Sequence, residues 1–369
     1  MSLHDKKKIV VKVGSSLLID SDGASRREWL ETLIADIAQR HQAGASIIIV
    51  SSGSIALGAR KLGLEKGGRS NLADAQAAAS VGQIALSSLW SELLAKHNIT
   101  AAQMLLTLDD MEDRKRYLNA TATLDRLVDK RAVPVINEND SVATDEIRFG
   151  DNDRLAARVA QAAGADHVLL LSDIDGLYDR SPDSSDKDKL ISAVEQVDEH
   201  ILAMADGTSS SGLGSGGMTS KLEAAQIANM AGIPLSIISG REDHPLQRYE
   251  TSGKGTLFKA NGGKNARKSW LGGRLTSAGT IMVDAGAAEA LQDGSSLLAA
   301  GIVSVTDGFA RSDVVDITDP NGQVIARGLA EYDAIECAKI IGRRSSELEA
   351  LLGYAPRSAV VHRNQMVLV

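Results

Sequence analysis

The segment of this sequence with the clearest chemical potential is rich in glycine and ends in a lysine. It reads GLGSGGMTSK and covers residues 212–221. Glycines let backbone N–H groups approach phosphate oxygens, a predicted helix begins after them, and Lys221 lies in its first turn. The combination indicates an anion site, although a flexible surface loop followed by a helix cap has the same spacing.

Two familiar nucleotide motifs do not account for this segment. Gly212, Gly214 and Gly217 satisfy G-x-G-x-x-G, but a dinucleotide fingerprint follows a strand and precedes an acidic ribose ligand by about twenty residues. Here a polar run precedes the glycines, and Ile237 stands where the acidic residue would be. A P-loop requires glycine directly before the lysine, where this sequence has Ser220.

A second lysine stands inside an apolar strand near the N-terminus. Lys12 belongs to the run IVVKV at residues 9–13, which is followed by GSS at residues 14–16. Lysine is rarely buried without a partner, so at the end of a central strand its ammonium group should face an anion. The alternative is a lysine on an edge strand that faces water.

Clusters of aspartate, asparagine and serine follow further predicted strands. Residues 137–141 read NENDS, and Asn152 and Asp153 stand at the start of a helical pattern. Such side chains bind ammonium groups and orient lysines, but they are also the usual residues of turns and helix N-caps. Residues 51–53 (SSG) and 172–173 (SD) follow two other strands and are weaker signals.

These residue types favour phosphoryl transfer over hydrolysis. The sequence has no H-E-x-x-H motif and no G-x-S-x-G elbow, and its histidines have no ligand spacing. Phosphoryl transfer needs mainly positioning and charge neutralisation. A carboxylate acceptor is already ionised at neutral pH and needs no base. Two anions must then approach, and unit charges about 4 Å apart interact by about 4 kcal/mol at an effective dielectric of about 20, so two well-placed lysines matter.

Short apolar strands alternate with helical periodicities over the first two-thirds of the chain. Strands that are apolar throughout predict an α/β fold with a mainly parallel sheet covered by helices on both faces. Ligands of such sheets bind beyond the carboxyl ends of the strands, where each polar cluster is expected. The predicted strands are residues 9–13, 46–51, 102–106, 133–136, 168–171 and 235–239, and the predicted helices are residues 26–43, 73–96, 112–131 and 220–231.

The pattern changes after about residue 262. Residues 1–262 form the predicted catalytic domain, and residues 263–276, which carry basic residues and no acids, form a predicted linker. Four short β-like runs then recur at close spacing, which predicts a small β-rich barrel over residues 277–354. Residues 355–369 are interpreted as a C-terminal tail.

Composition excludes several classes of protein. The chain has 369 residues, with 40 Lys and Arg against 48 Asp and Glu, and this balance argues against bulk binding of nucleic acid or anionic membranes. The single cysteine, Cys337, excludes an internal disulfide framework and a Cys-rich zinc site. The sequence shows no signal-peptide pattern. It also has no apolar run that approaches the length of roughly 20 residues needed to cross a bilayer. We therefore expect a soluble, cytoplasmic protein.

Taken together, these segments resemble the amino-acid kinase family. Within the family they are most similar to the members that act on L-glutamate, and residues 277–354 resemble a PUA domain. Serine stands at positions 15, 51 and 172, where threonine is common in such motifs, so each hydroxyl is retained. The matching segments are VKVGSS (11–16), IVSSGSIALG (49–58), PVINEND (134–140), FGDND (149–153), LSD (171–173) and GSGGMTSK (214–221).

The resemblance implies a reaction and a set of small molecules. ATP would transfer its γ-phosphate to the side-chain carboxylate of L-glutamate and form L-glutamyl 5-phosphate, the first step of proline biosynthesis. Mg²⁺ would bridge the phosphates, and no protein ligand for it is assigned. Proline would act as an inhibitor, and the chain would form a homo-oligomer without a membrane or nucleic-acid partner.

The same resemblance implies roles for individual residues. Lys12 and Lys221 would neutralise the transferring phosphoryl group, and Asp153 would hold both lysines in place. Glutamate would be bound by Ser52, Asn152 and Asp140, with Asp140 facing its ammonium group. The implied ATP site comprises Lys12, Ser172, Asp173, Ser215, Gly216, Gly217, Met218, Thr219, Ser220 and Lys221.

Two alternatives stay open. One is another member of the family that acts on aspartate, N-acetylglutamate or carbamate, which the segments at 137–140 and 150–153 disfavour. The other is an RNA-binding protein, because PUA domains often bind RNA. Residues 276–369 hold seven Lys and Arg against twelve Asp and Glu, whereas an RNA-binding module is expected to be basic. We therefore expect this region to modulate assembly or regulation.

Overall fold

A computed structural model of the chain describes residues 7–20, 24–142, 151–179, 189–205, 217–260, 277–306, 308–357 and 359–368. The chain divides into two compact units, Met1–Asn261 and Gly262–Val369, called here the N-terminal unit and the C-terminal unit. Each unit encloses its own apolar core. The predicted linker, residues 263–276, lies outside the described residues.

The strands of the N-terminal unit are β1 (Lys8–Val13), β2 (Ser46–Ser51), β3 (Ala101–Leu106), β4 (Val133–Glu138), β5 (His167–Ser172), β6 (Tyr178–Asp179), β7 (Lys189–Leu190), β8 (Ala193–Val194), β9 (Leu235–Ser239) and β10 (Thr256–Phe258). Eight of these described strands form one sheet in the order β3-β4-β2-β1-β5-β9-β10-β8. Neighbours are parallel except β9 and β10, which are antiparallel. The predicted mainly parallel sheet is confirmed, with β1 near its centre.

The helices of this unit are α1 (Ser15–Leu18), α2 (Arg27–Gln42), α3 (Ser54–Leu62), a 3₁₀ helix (Glu65–Gly68), α4 (Leu72–Ala95), α5 (Leu108–Glu112), α6 (Arg114–Asp129), α7 (Asp151–Ala163), α8 (Glu199–Ala203), α9 (Met218–Met230) and α10 (Pro245–Ser252). They cover both faces of the sheet, because successive residues of β1 enter different cores. Val10 packs with α6, α7 and α9, whereas Ile9 and Val11 pack with α2, α4 and α10. None of the helices in the described part of the chain has both the length and the apolar character needed to cross a membrane.

The helix predicted over residues 112–131 is confirmed as α6 (Arg114–Asp129), but it begins two residues later than predicted. Helix α5 ends at Glu112, and Asp113 leaves the helical region with φ −70° and ψ 122°. The Asp113 side chain then accepts a hydrogen bond from the backbone N–H of Arg116 at 2.9 Å and caps α6. Periodicity does not reveal this break, because the apolar spacing continues across it.

Helices α3 and α4 cross at two glycines. A Cβ atom on Gly58 would lie 1.8 Å from the carbonyl oxygen of Ala78, and one on Gly82 would lie 1.7 Å from the carbonyl oxygen of Ser54. Real side chains do not approach a backbone so closely, so only glycine permits this separation of the two helices. The crossing brings Ser54, at the start of α3, against the middle of α4.

The C-terminal unit contains β11 (Gly279–Val283), α12 (Ala285–Gln292), a 3₁₀ helix (Ala299–Gly301), β12 (Ile302–Val305), β13 (Val314–Thr318), β14 (Val324–Ala330), α13 (Ala334–Ile340), a second 3₁₀ helix (Ser345–Glu347), α14 (Leu348–Leu352) and β15 (Val361–Leu368). Its strands form a sheet in the order β12-β11-β13-β14-β15. Leu297, just before β12, also pairs with Val361 of β15, so the opposite edges of the sheet approach each other. Residues 355–369 are therefore not a separate tail, because β15 pairs with β14 inside this small β-rich domain.

The close helix crossing leads to a stability prediction. Gly82→Ala is expected to lower the free energy of unfolding by about 1–3 kcal/mol or more, because the new methyl group collides with the Ser54 carbonyl. The control is Gly286→Ala in α12, where the nearest atom to an added Cβ is a carboxylate oxygen of Asp284 at 3.5 Å. That change should alter stability by no more than about 1 kcal/mol. Thermal and urea unfolding would measure the stability of both variants and of wild type. A Gly82→Ala variant as stable as Gly286→Ala would contradict the packing argument.

Candidate active site

The polar side chains singled out in the sequence collect at the carboxyl ends of the parallel strands. Lys12 lies near the end of β1, Ser52 directly follows β2, and Ser172 ends β5. Asn137 lies near the end of β4, and Asp140 follows that strand. This is the edge at which open parallel sheets bind ligands, and it is where the sequence predicted the clusters to lie.

Two lysines that are far apart in the sequence share one carboxylate. Lys12 points to the same face of the sheet as Val10, where α7 and α9 pack. Its Nζ forms an ion pair with Oδ1 of Asp153 in the first turn of α7. Nζ of Lys221, in the first turns of α9, lies 3.1 Å from Oδ2 of the same residue. Lys12, Asp153 and Lys221 are called the lysine–aspartate cluster below.

The lysine–aspartate cluster is almost entirely buried. Asp153 has no solvent exposure, and Lys12 and Lys221 are 6% and 7% exposed. Burial by itself raises the pKa of Asp153, but the two lysine ammonium groups outweigh it and lower the pKa to about 2. Burial lowers the pKa of Lys12, the Asp153 carboxylate opposes that shift, and Lys221 adds to it. With two ammonium groups around one carboxylate, the cluster attracts a further anion.

The helix dipole does not explain the position of Lys221. Positive charge is disfavoured near a helix N-terminus, where negative charge is stabilised. Asp153 in the first turn of α7 follows this rule, whereas Lys221 near the start of α9 does not. Gly217, the N-cap of α9, has no side chain with which to cap the first-turn N–H groups. Lys221 and these N–H groups therefore form a second source of positive potential for an anion.

A chain of amide and hydroxyl groups lies beside the cluster. The Asn152 side-chain amide donates hydrogen bonds to Ser52 Oγ at 2.9 Å and to Asn137 Oδ1 at 3.0 Å. The Asn137 amide in turn donates to Ser54 Oγ at 3.1 Å and to Gln83 Oε1 at 2.9 Å. These five residues are called the amide–hydroxyl network. It links α7 to the crossing of α3 and α4.

Asp140 lies at the far end of this network. Its Oδ2 accepts a long hydrogen bond of 3.5 Å from Ser54 Oγ, and the residue is 8% exposed. Together with Ser54 and Gln83 it lines a cavity of about 300 Å³ beyond the ends of β3 and β4. The guanidinium group of Arg69 is near enough to Asp140 for their charges to attract.

A larger cavity opens beyond β5 and β9. Its volume is about 670 Å³, and its lining includes Asp173, Tyr178, Arg241 and Lys254. Asp173 accepts a hydrogen bond of 3.1 Å from the Ser172 hydroxyl, and its charge also acts on Lys12. The cavity therefore borders the lysine–aspartate cluster on the side away from Asp140.

The comparisons with known proteins agree with this geometry. The profile of the Amino acid kinase family matches residues 7–239, which is more than half of the chain. The chain belongs to the amino acid kinase family. The profile of the PUA domain matches residues 279–352, so the amino acid kinase part of the chain is followed by a PUA domain.

Relatives in the amino acid kinase family align with nearly the whole chain. The chain is 63% identical to the glutamate 5-kinase of Novosphingobium aromaticivorans, over 98% of this chain and 96% of that protein. It is 59% identical to the glutamate 5-kinase of Sphingopyxis alaskensis, over 98% and 97% of the two chains. The solved structure of carbamate kinase from Giardia lamblia bound to AMP-PNP has a TM-score of 0.50 and 15% identity, and the match covers 70% of this chain and 100% of that chain. At this identity the structural likeness shows the amino acid kinase fold alone.

The structure brings some of the predicted site residues into contact and leaves others apart. Lys12, Lys221 and Asp153 are in direct contact, and Asn152 and Ser52 are hydrogen-bonded to each other. The Ser220 hydroxyl donates to Asp153 Oδ2 at 3.2 Å, whereas the Met218 side chain is buried in the apolar core and Thr219 is exposed. Ser215 and Gly216 lie outside the described residues.

Sequence reasoning missed two residues of the amide–hydroxyl network, Ser54 and Gln83. Ser54 follows the same strand as Ser52, so its position after β2 could have indicated it. Gln83 lies in an alanine-rich helix, so it has no local signal. Their places depend on how α3 and α4 cross.

No protein metal site accompanies these residues in the part of the chain that the structure describes. No group of three or more His, Cys, Asp or Glu side chains there is arranged to hold a metal ion.

The shared carboxylate predicts a particular pH dependence of stability. Asp153→Asn leaves two buried lysines without a counter-charge and should lower the free energy of unfolding by roughly 3–5 kcal/mol at neutral pH. The pKa of Asp153 is lowered, so its contribution is present above the unfolded pKa of 3.8 and is lost as the pH falls from there to about 2. Calorimetry over this range should show a smaller pH slope for Asp153→Asn than for wild type. Asp109→Asn, at an exposed position in α5, should retain the wild-type slope, and equal slopes in all three proteins would contradict the assignment.

Proposed function

We propose that this chain transfers the γ-phosphate of ATP to the side-chain carboxylate of L-glutamate, which yields ADP and L-glutamyl 5-phosphate. The chain is 63% and 59% identical to two glutamate 5-kinases over 98% of its length, and this similarity supports the choice of acceptor. Membership of the amino acid kinase family supports the class of reaction. The reaction is the first step of proline biosynthesis.

The observation that carries this proposal is that Lys12 and Lys221 share the Asp153 carboxylate. The acceptor carboxylate and the γ-phosphate are both anions, so their approach is opposed by repulsion of several kcal/mol. Two ammonium groups on one side of the reacting atoms offset that repulsion, most strongly where water is excluded. Because both lysines contact one rigid carboxylate, their positions require little rearrangement during the reaction.

The proposed chemical step needs no general base. An oxygen of the glutamate side-chain carboxylate attacks the γ-phosphorus, the bond from this phosphorus to the bridging oxygen breaks, and ADP leaves with that electron pair. The acceptor is ionised at neutral pH because an ordinary glutamate carboxyl has a pKa of about 4.3. With a pKa lowered to about 2, Asp153 stays ionised and is a positioning group for the two lysines.

The amide–hydroxyl network is the proposed acceptor site. Asp140 would bind the ammonium group of glutamate, and Ser52 and Asn152 would contact the rest of the molecule. Oδ1 of Asn152 supports this assignment, because it is buried and has no hydrogen-bond partner among the described residues. A buried acceptor of this kind is costly unless a ligand donates to it.

The proposed ATP site lies on the other side of the lysine–aspartate cluster. Asp173, which accepts a hydrogen bond from Ser172, lines the cavity of about 670 Å³, which is large enough for a nucleotide base and ribose. Residues 215–221 would surround the phosphates, with Gly217 and the first turn of α9 presenting backbone N–H groups. Mg²⁺ bound to the phosphate oxygens would supply additional neutralisation of charge. We assign it no ligand from the protein.

The reaction is tested with purified full-length protein, ATP, Mg²⁺ and hydroxylamine, which traps an acyl phosphate as a hydroxamate. L-glutamate should give the hydroxamate, whereas aspartate, N-acetylglutamate and carbamate should give little. Proline should inhibit, and light scattering should show a homo-oligomer, as the family resemblance implies. Absence of the hydroxamate with glutamate would refute the proposed reaction. Activity that does not change with proline concentration would refute only the predicted inhibition.

Removal of either lysine should impair the chemical step. Lys221→Met and Lys12→Met are each expected to lower kcat by roughly 100- to 1000-fold, because each removes a positive group from the reacting atoms. Lys61→Met, at an exposed position in α3, is the matched control and should retain wild-type turnover. Circular dichroism would establish that the variants are folded, and near-normal kcat in a folded Lys221→Met would exclude this residue from the mechanism.

Removal of the Asp140 charge should affect acceptor binding instead. Asp140→Asn is expected to raise KM for glutamate roughly 10- to 100-fold with a much smaller change in kcat, because one charge-assisted hydrogen bond is lost. KM for ATP should stay near the wild-type value. Steady-state kinetics with each substrate varied in turn would measure both effects, and Asp109→Asn serves as the control. An unchanged glutamate KM would refute the proposed contact.

A further inference from the structure

One side of helix α2 makes a series of polar contacts with residues 241–250, a segment that includes most of α10. The series begins at the N-cap of α2, and its members recur every three or four positions, which places them on the same side of the helix. These residues, called the α2 stripe below, are Arg26, Trp29, Thr32, Asp36 and Arg40.

The first part of the α2 stripe binds two backbone carbonyl groups. A guanidinium N–H of Arg26 donates to the carbonyl oxygen of Arg241 at 3.3 Å, and the indole N–H of Trp29 donates to the carbonyl oxygen of Glu242 at 3.1 Å. Trp29 is buried, and a buried indole N–H is costly without an acceptor. These bonds fix the path of the chain that leads to α10.

The middle of the α2 stripe binds the start of α10. The Thr32 hydroxyl accepts a hydrogen bond of 3.0 Å from the backbone N–H of His244. Asp36 Oδ2 accepts from the backbone N–H groups of Leu246 and Gln247 at 3.0 Å and 3.2 Å, and its Oδ1 lies 2.8 Å from His244 Nδ1. Asp36 is 5% exposed, and such burial of a carboxylate is tolerable because these donors replace its water.

Asp36 serves as the N-cap that α10 does not have in its own sequence. His244 stands at the N-cap position but makes no capping hydrogen bond with its side chain, and Pro245 at the next position has no N–H. Leu246 and Gln247 carry the N–H groups that an N-cap side chain normally binds. A carboxylate at this end of a helix is also stabilised by the helix dipole. Because Asp36 lies 210 positions before Leu246, the sequence around α10 does not reveal this cap.

Further contacts leave α10 with one defined position. His244 has φ 53° and ψ 53°, a left-handed conformation that persists in a non-glycine residue only where the surrounding structure imposes it. The hydrogen bond to Thr32 and the contact with Asp36 hold His244 in this conformation. At the other end of the α2 stripe, Arg40 forms an ion pair with Glu250 of α10.

Helix α10 and the residues that flank it form one wall of the cavity of about 670 Å³. Most of the described residues that line this cavity lie between Arg241 and Lys254. The segment that the α2 stripe holds is therefore the segment that determines the shape of the cavity. Helices α2 and α10 lie on one face of the sheet, whereas α7 and α9, which carry Asp153 and Lys221, lie on the other.

We propose that Asp36 is a positioning residue for ATP, because its cap on α10 keeps this wall of the cavity in the position that binds the nucleotide. The assignment rests on the proposed function, which places ATP in this cavity. Asp36 acts through the backbone of Leu246 and Gln247. Without the cap, the start of α10 occupies additional conformations, and only the fraction of molecules with the wall in place binds the nucleotide at full affinity.

The test separates nucleotide binding from the other steps of the reaction. In Asp36→Ala, KM for ATP should rise roughly 3- to 30-fold, because the helix loses its cap. The dissociation constant of ADP with Mg²⁺, measured by titration calorimetry without glutamate, should rise by the same factor. Values of kcat and of KM for glutamate should stay within about twofold of wild type, because the lysine–aspartate cluster is carried by other elements.

Two companion variants define the cause of the change. Asp36→Asn retains an oxygen that can cap α10 and should bind ADP within about threefold of the wild-type affinity. Glu28→Ala removes an exposed carboxylate from the same helix and should behave as wild type. Hydrogen exchange at the backbone N–H groups of Leu246 and Gln247 should be slow in wild type and faster in Asp36→Ala.

A milder variant decides the question if Asp36→Ala does not fold. Thr32→Val has nearly the same shape as wild type but no acceptor for the His244 N–H. It should raise KM for ATP roughly 2- to 10-fold without a matching change in KM for glutamate. In that case, an unchanged KM for ATP in Thr32→Val overturns the proposal.

The outcomes also distinguish this proposal from the proposed function. If Asp36 supports only the fold, Asp36→Ala unfolds at a lower temperature while its KM for ATP and its affinity for ADP stay at the wild-type values, and the proposal is overturned. An equal rise in KM for ATP and for glutamate would overturn it as well. Absence of glutamate turnover in wild type refutes the proposed function, whereas the ADP titration still tests the role of Asp36.

Discussion

A buried carboxylate that is shared by two lysines is the interaction on which the N-terminal unit depends. Asp153 has no exposure to solvent, so its charge is tolerable only with both cations in place. Each lysine in turn is nearly buried and needs the carboxylate. Helices α7 and α9 therefore have to pack in one arrangement on the face of the sheet to which Lys12 of β1 points. The surplus positive charge of the cluster is what makes it suited to bind a phosphoryl group.

The remainder of the site extends from this cluster in two directions. On one side, the amide–hydroxyl network leads to Asp140, and its position depends on the contact of α3 with α4 at Gly58 and Gly82. On the other side, Ser172 and Asp173 lead to the cavity beyond β5 and β9. A small acceptor and a nucleotide can thus approach the lysines from opposite sides, which is the arrangement that transfer between two bound molecules requires.

Much of the fold could be predicted because the strands are apolar along their whole length. This pattern indicated a mainly parallel sheet, and the polar clusters after the strands indicated its ligand-binding edge; the sheet and its fold class are confirmed. The break at Asp113 and the pairing of β15 were not predicted, because a capping hydrogen bond and a distant strand partner leave no periodic signal. The assigned roles of the site residues stay predictions, and Ser54 and Gln83 were not found by sequence reasoning.

The sequence by itself determined which residue types follow each strand and therefore which chemistry the chain can perform. Lys12, Asp153 and Lys221 could each be singled out from their neighbours in the chain. Only the tertiary structure decided that the three meet on one face, because strand order and helix packing join residues that are at least 68 positions apart. It also decided that Asn137 contacts both Ser54 and Gln83, since their proximity depends on two helices that only glycines allow to approach so closely. Local pattern encodes the elements, whereas the contacts between distant side chains arise from how those elements pack.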